Sequence, residues 1–411
     1  MRKKTVHKKI AHKITKKTSR KIVSLRTKRN GVRLKTKEFA SANPAANVPI
    51  AHASFSSIRQ IIVWTVIVAA IFGILSVISS YSQPSDNKEL SSFQKKLEQV
   101  ATLSLLNDDD PVTLIATGDI LLARYVELRM RQLNDYTYPF QKIADFLKSA
   151  DITFGNLETP LLPGRNVPKD SMTFRGDLKG VQGLIFAGYD VLSIANNHTM
   201  NYQIPGLTST LQTLKEAGIL ASGGGKDQDT AYTPVIIEAK GKKIAFYSYI
   251  DSSIPPGFHG EAKDGKPGIA RMDIEAVKND VKNALENLGA DFVVVSMHAG
   301  KEYKWEPTKF QKDFAHAAID AGASAVIGTH PHVIEPVEYY GNGIIFYSLG
   351  NFVFDQFFSE DVQNGLITKI TFPEESGEKI TAELFPVRIE KGQPRLMEGA
   401  EKVAILKKLG L

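Results

Sequence analysis

Five short segments end an apolar run and then present a residue able to hold a metal or move a proton. They are "TGD" at Asp119, "GNLE" at Glu158, "ANNH" at Asn197 and His198, "SMH" at His298, and "GTHPH" at His330 and His332. Two carboxylates, an amide and four imidazoles make a metal-ligand set. Imidazole suits Zn, Fe or Mn, and the oxygen donors bias the set toward harder ions. This many donors suits two divalent ions better than one, and a pair about 4 Å apart clamps the attacking and leaving oxygens of a phosphoryl transfer. In "HPH" the rings are two residues apart, so an extended segment turns both to one side, and Pro331 keeps it out of helix. Each residue alone has an ordinary explanation. Asp119 suits a turn, Glu158 and Asn197 suit caps or loops, His198 suits a cap, and His298 suits a satisfied core position. Their joint occurrence is the signal: four of the nine histidines lie at these stops. His316, in the middle of a helical pattern, is read as structural.

The elements that must carry these residues alternate. Strands "VTLIA", "DITFGNLE", "DVLSIANNH", "DFVVVSMH" and "SAVIGTHPH" are separated by helical spacing in "FQKIADFLKSA" (140–150), "GVQGLIFAGY", "PGLTSTLQTLKEAG", "IEAVKNDVKNALENLGA" and "FQKDFAHAAIDAG". Hairpins are expected through Gly241 and "GNG", with late strands in "GLITKITF" and "KITAELFPVRI". The class is α/β with a mixed sheet or two sheets, and in open α/β sheets ligands bind beyond the carboxyl ends of the strands. "SGGGKDQDT" lacks phosphate-loop spacing and reads as a flexible turn. "NHT" matches a glycosylation sequon, which a buried ligand Asn197 excludes.

The net charge of +7 belongs to one end. Residues 1–60 hold 17 Lys/Arg and one acid, Glu38, leaving 34 Lys/Arg against 43 Asp/Glu in the rest. Ile61 to Ile78 is free of charge, close to the roughly 20 apolar residues of a membrane span. The expected plan is a basic disordered cytoplasmic tail (1–57), an uncleaved signal anchor (58–80), a linker or stalk (81–110) and an extracytoplasmic domain (111–411). Positive charge stays on the cytoplasmic side, so the protein is expected in the cell membrane as a single-pass chain. Anionic headgroups, not nucleic acid, are the expected partner of the tail. With no cysteine there is no disulfide or thiolate chemistry.

The segments "TGDILLAR", "GNLETPL", "ANNHTMNY", "VVVSMHAGKEY", "GTHPHVIEPVEYY" and "IFYSLGNFVFDQ" resemble, in order, the motifs of the CapA family of poly-γ-glutamate capsule synthesis proteins. That family is similar to the calcineurin-like metallophosphoesterases. The resemblance implies a two-sheet sandwich flanked by helices and roles for the strand-end residues. Asp119 would be a metal ligand and Glu158 a bridging acid. Asn197, His298 and His330 would hold one ion and His332 the other. His198 would protonate a leaving group, and Arg124 would meet an anion or pair with an acid. The "D-x-H" histidine of the phosphoesterases is absent, Leu121 standing there. Glu302 and Tyr303 are expected near His298; Asn351 and Asp355 are candidates to support the ligands. Three functions follow as expectations: a part in synthesis or export of an anionic polymer beside synthase or export subunits, a free-standing phosphoesterase, or a non-catalytic scaffold.

Overall fold

The computed structural model describes residues 110–164, 172–254, 260–374 and 379–410, together with the dipeptide Arg33–Leu34. Apart from that dipeptide and Asp110, the expected tail, anchor and stalk lie outside the described residues. Among the described residues no helix is long and apolar enough to cross a membrane.

The chain runs β1 (Arg33–Leu34), β2 (Thr113–Ile120), α1 (Arg124–Leu133), α2 (Ala144–Leu147), β3 (Ile152–Leu157), α3 (Val181–Ala187), β4 (Val191–Ser193), α4 (Gln203–Ala217), β5 (Leu220–Ser222), β6 (Gly224–Gly225) and α5 (Gln228–Tyr232). It continues β7 (Val235–Ala239), β8 (Lys242–Ile250), β9 (Gly268–Ile269), α6 (Ile274–Glu286), β10 (Phe292–His298), α7 (Lys309–Asp320), β11 (Ala325–Thr329), β12 (Val337–Tyr340) and β13 (Gly343–Phe346). Last come β14 (Asn351–Val353), β15 (Asn364–Thr371), β16 (Thr381–Glu390), β17 (Gln393–Leu396) and α8 (Gly399–Lys408).

Two mixed sheets result. One has the order β17-β16-β15-β2-β3-β4-β5, with β14 added to the end of β2; the other has the order β1-β7-β8-β10-β11-β13-β12. Alternation along each strand builds the layers. Leu114, Ala116 and Phe154 of the first sheet pack on Phe246, Val294 and Ile327 of the second, with Phe154 and Phe246 stacked at 5.7 Å. The neighbouring positions point outward: Ile115 and Leu192 meet Leu207 and Leu214 of α4, and Val293 and Val295 meet the α6–α7 layer through Val281 and Phe314. The expected sandwich flanked by helices is the observed one. Strands β2, β3, β4 and β5 are mutually parallel, as are β8, β10, β11 and β13, so each sheet gathers its strand ends on one edge.

Three local expectations change. The helix expected over 140–150 is only α2, because Asp151 is pinned at once to Thr113 through the backbone N–H and hydroxyl, both at 2.8 Å. "SGGGKDQDT" is not a flexible turn: β6 pairs with β9, and Asp227 caps α5 in a capping box with Thr230. Helices α1 and α8 were not expected at all.

The link that matters for the site is between β2 and the turn before β14. Asp119 N–H donates to Gly350 O at 3.0 Å, and a Cβ on Gly118 would stand 1.9 Å from that same oxygen. Gly118→Ala must push the two segments apart, so we expect a loss of about 3 kcal/mol in urea unfolding. A loss within 0.5 kcal/mol, roughly the scatter of neutral surface changes, would show that the approach is not required.

Candidate metal centre

The strand ends converge as the sequence implies. Asp119 is the next-to-last residue of β2, and Glu158 follows β3. Asn197 and His198 follow β4, His298 closes β10, and His330 and His332 follow β11. Asp119 and Glu158 are sealed from solvent, and His198, His298, His330 and His332 are buried. One ligand atom each of Asp119, Glu158 and His332 lies within 4.8 Å of the others.

Hydrogen bonds settle which atoms face inward. Asn351 donates through Nδ2 to Gln356 and to Val362 O, so its Oδ1 is the acceptor that His332 Nδ1 meets at 2.9 Å. The Nε2 of His332 is thereby turned to Glu158, at 3.8 Å. In the same way Asn201 Oδ1 accepts from Phe174 N–H at 2.6 Å and from His198 Nδ1 at 2.9 Å, leaving His198 Nε2 at 3.7 Å from Glu158. His198 is stacked on Phe174 at 3.7 Å. Asp119 accepts from Asn156 Nδ2 at 2.8 Å and from His330 N–H at 3.2 Å. Both oxygens of Glu158 and Nδ1 of His330 are buried with no partner.

The remaining expected ligands form a neighbouring group. His298 Nε2 and Asn197 Oδ1 are bonded to each other at 3.0 Å, and His298 Nδ1 meets Thr329 Oγ1 at 3.0 Å. The His330 ring lies between, 4.8 Å from His298 and 6.0 Å from His332. The two histidines of "HPH" do not share one face as an extended segment would have them. His330 has φ +99° and His332 φ +59°, and the backbone turns each ring to a different neighbour.

Charge follows burial. Burial alone would raise the Asp119 carboxyl, but His332, His298 and the Asn156 N–H outweigh it and hold it well below the usual range. Burial pushes Glu158 well up, aided by the Asp119 charge and by Glu302. Burial lowers His198 to about 4 against the Asn201 bond, His298 to about 3, and His330 well below the ordinary value. The imidazolium expected of His198 is therefore not held at neutral pH by these surroundings. All three are neutral imidazoles, the form that binds metals. An orphaned buried carboxyl beside Asp119 and the His332 ring, with an orphaned His330 nitrogen in the neighbouring group, fits a divalent ion.

Arg124 sits at the edge, not in the cradle. It makes a two-toothed ion pair with Asp355, which also accepts from Tyr125 N–H at 3.1 Å, and it lies over Phe174 at 4.6 Å. Leu121, in place of the "D-x-H" histidine, is buried with Ala123, Phe174 and Phe354 in a small apolar cluster that walls the site. Tyr303 lines the mouth against His332 at 6.1 Å and not beside His298 as expected, and its neighbour Glu302 helps raise the Glu158 carboxyl. Sequence reasoning missed Asn156, Asn196 and Thr329. Asn196 Nδ2 donates to Asn156 Oδ1 at 3.1 Å, and Asn196 Oδ1 accepts from the His198 and Thr199 N–H groups. Asn156 carried a usable signal, because it is two residues before Glu158 and so on the same strand face.

A family model described as "Bacterial capsule synthesis protein PGA_cap" matches residues 113–356. The chain is 31% identical over 300 residues to "Capsule biosynthesis protein CapA" of Bacillus anthracis, covering 71% of each. It is 33% identical over 262 residues to "PGA biosynthesis protein CapA" of Bacillus subtilis, covering 63% of this chain and 67% of that one. Among solved structures, a sulfate thiohydrolase SoxB of Thermus thermophilus aligns with a TM-score of 0.39 and 12% identity, over 73% of this chain and 60% of that one.

Metal affinity should rise with pH between 5 and 7, because burial holds on Glu158 a proton that a bound ion must displace. His198, His298 and His330 are already neutral there and Asp119 already ionised, so none of these four supplies that proton. Binding should release protons, and Glu158→Gln should release fewer, measured by calorimetric titration of Mn or Zn in buffers of different ionisation enthalpy. Affinity that is flat across this range would mean Glu158 is already ionised.

Proposed function

Since this chain belongs to the bacterial capsule synthesis family PGA_cap, we propose that it takes part in synthesis or export of a poly-γ-glutamate or similar anionic polymer through a divalent metal at the Asp119–Glu158–His332 cradle. The names of the two Bacillus relatives support the polymer. The observation that carries the metal is Glu158, whose two oxygens are buried without partners beside a second carboxylate and two imidazoles. Asp119, Glu158 and His332 would hold one ion of Mn, Fe or Zn, with His330, His298 and Asn197 as the donors of a second. A divalent ion in such a cradle supplies Lewis-acid polarisation of a carbonyl or phosphoryl oxygen.

The chain's own residues prepare the rest. Asn351 and Asn201 set the tautomers of His332 and His198, so both present a lone pair at Nε2. His198 is thus a proton acceptor at neutral pH, a base before it is an acid. Phe174 and Phe354 close one side against water. An anion reaching Arg124 must displace Asp355 first. A second reading, hydrolysis of a phosphoester, draws on the same acid and histidine set; the apolar burial of Leu121 and the pairing of Arg124 weigh against it.

The uncharged run and the basic tail support a membrane anchor at 58–80, with 1–57 cytoplasmic, 81–110 a linker and 111–411 outside. This reading requires Arg33–Leu34 to leave its pairing with β7 in the membrane-bound chain.

Two experiments test these readings. The purified full chain should carry one to two equivalents of Mn, Fe or Zn; Glu158→Gln and His332→Ala should lose them, and a strain with only the Glu158→Gln copy should make no surface polymer. Metal lost with polymer unchanged would overturn the link between them. The chain has no cysteine, so Ser24→Cys and Glu286→Cys report sidedness. On intact cells a membrane-impermeant maleimide should label the second and not the first; labelling of both would refute the anchor's orientation.

A further inference from the structure

The mouth of the site carries an aromatic patch that the metal chemistry does not use. Tyr303 is 40% exposed, Phe357 42% and Phe358 66%. Phe358 stands against Tyr303 at 5.3 Å and Phe357 against Tyr125 at 5.4 Å, both edge to face. Large apolar groups exposed side by side mark a binding surface; scattered single ones do not.

The patch is held in place by the ligand shell. Tyr303 has φ +61°, a strained conformation for an aromatic residue, fixed by its N–H to Pro331 O at 2.8 Å. Its hydroxyl accepts from Gln356 Nε2 at 3.0 Å, Gln356 Oε1 accepts from Asn351 at 3.0 Å, and Asn351 accepts from His332. One chain of hydrogen bonds therefore fixes both the ligand histidine and the ring above it.

Charge around the patch cancels. Arg124 is matched by Asp355, Lys408 by Asp361 and Lys309 by Asp313. On the loop of Tyr303, Lys301 and Lys304 alternate with Glu302 and Glu306, and Glu360 follows Phe358. A rim without net positive charge exerts no long-range pull on a polyanion or on an anionic membrane. Exposed ring faces beside carboxylate and amide groups match the C–H face and the hydroxyls of a neutral sugar.

We propose that this mouth is a saccharide subsite, where neutral pyranose rings of a glycan strand stack on Tyr303 and Phe358 while Glu302 accepts from their hydroxyls. It adds a second ligand class at the site and rests on the proposed function only in taking the metal cradle as the place of chemistry.

The test uses the full chain in phosphatidylcholine nanodiscs. Trp64→Phe leaves Trp305, two residues from Tyr303, as the reporter. Titration with chitotetraose and with cellotetraose should give a saturable fluorescence change for at least one of them. Binding should weaken roughly tenfold in Phe358→Ala and stay within about threefold in Tyr303→Phe, which keeps the ring. Metal content is measured on the same samples, so a failed cradle is read there and a failed subsite in the titration. No saturable response to either sugar, or Phe358→Ala binding as tightly as the parent, overturns the proposal. So does a blue shift of Trp305 on changing to phosphatidylglycerol discs without any sugar response, which would make the patch a membrane contact.

Discussion

Asp119 and Glu158, at the ends of adjacent parallel strands, are both shut off from water with ligand oxygens within 4.8 Å of each other. Two ionised carboxylates at that distance repel by roughly 3 kcal/mol even at an effective dielectric of 20. The structure answers unequally. Asp119 receives an amide donor, a backbone donor and the ring of His332, whereas Glu158 receives nothing. The first therefore keeps its charge and the second its proton. A buried polar group left unsatisfied costs about 1–3 kcal/mol, and a fold that retains one beside inward-facing imidazole nitrogens is shaped for a cation that would complete it.

The two sheets make the asymmetry possible. Parallel β2 and β3 bring both acids to one edge of the first sheet, and parallel β10 and β11 bring His298, His330 and His332 to the edge of the second. The seam is closed by β14, whose Asn351 pairs with Asp119 in register and whose preceding glycine takes the Asp119 N–H. Asn351 thus serves twice, by its backbone for the acid and by its side chain for His332. Side-chain position at the seam is set by backbone pairing, which is stiffer than any surface contact.

Much of this could be read from the chain because strand ends have a visible grammar. An apolar run that stops at Asp, Glu, Asn or His is a local pattern, and five such stops in a helix–strand alternation point to the carboxyl ends of the strands, where α/β sheets bind ligands. What could not be read was the choice among donors. Nothing in "GTHPH" says that His332 joins the acids while His330 turns toward His298, since that depends on two left-handed residues flanking Pro331. Nor does "GDILLAR" show that Arg124 is spent on Asp355, more than 200 residues away. The short α2 and the capped α5 failed for the same reason: a distant partner, Thr113 in one case and β9 in the other, overrode local spacing.

The strain follows this division. Of the eight non-glycine residues with positive φ among the described residues, Arg124, Tyr303, His330 and His332 surround the site. Each such conformation costs about 1–3 kcal/mol and survives only where the surroundings over-determine it. Here they do: His330 N–H is held by Asp119, Tyr303 N–H by Pro331 O, and the Arg124 side chain by Asp355. Because the same acid that orders the cradle also holds the strained turn carrying two of its histidines, the geometry of the ligands and the strain of the backbone cannot relax separately. Relief of either one opens the other, so the ligand geometry is tied to the backbone of the turn that carries it.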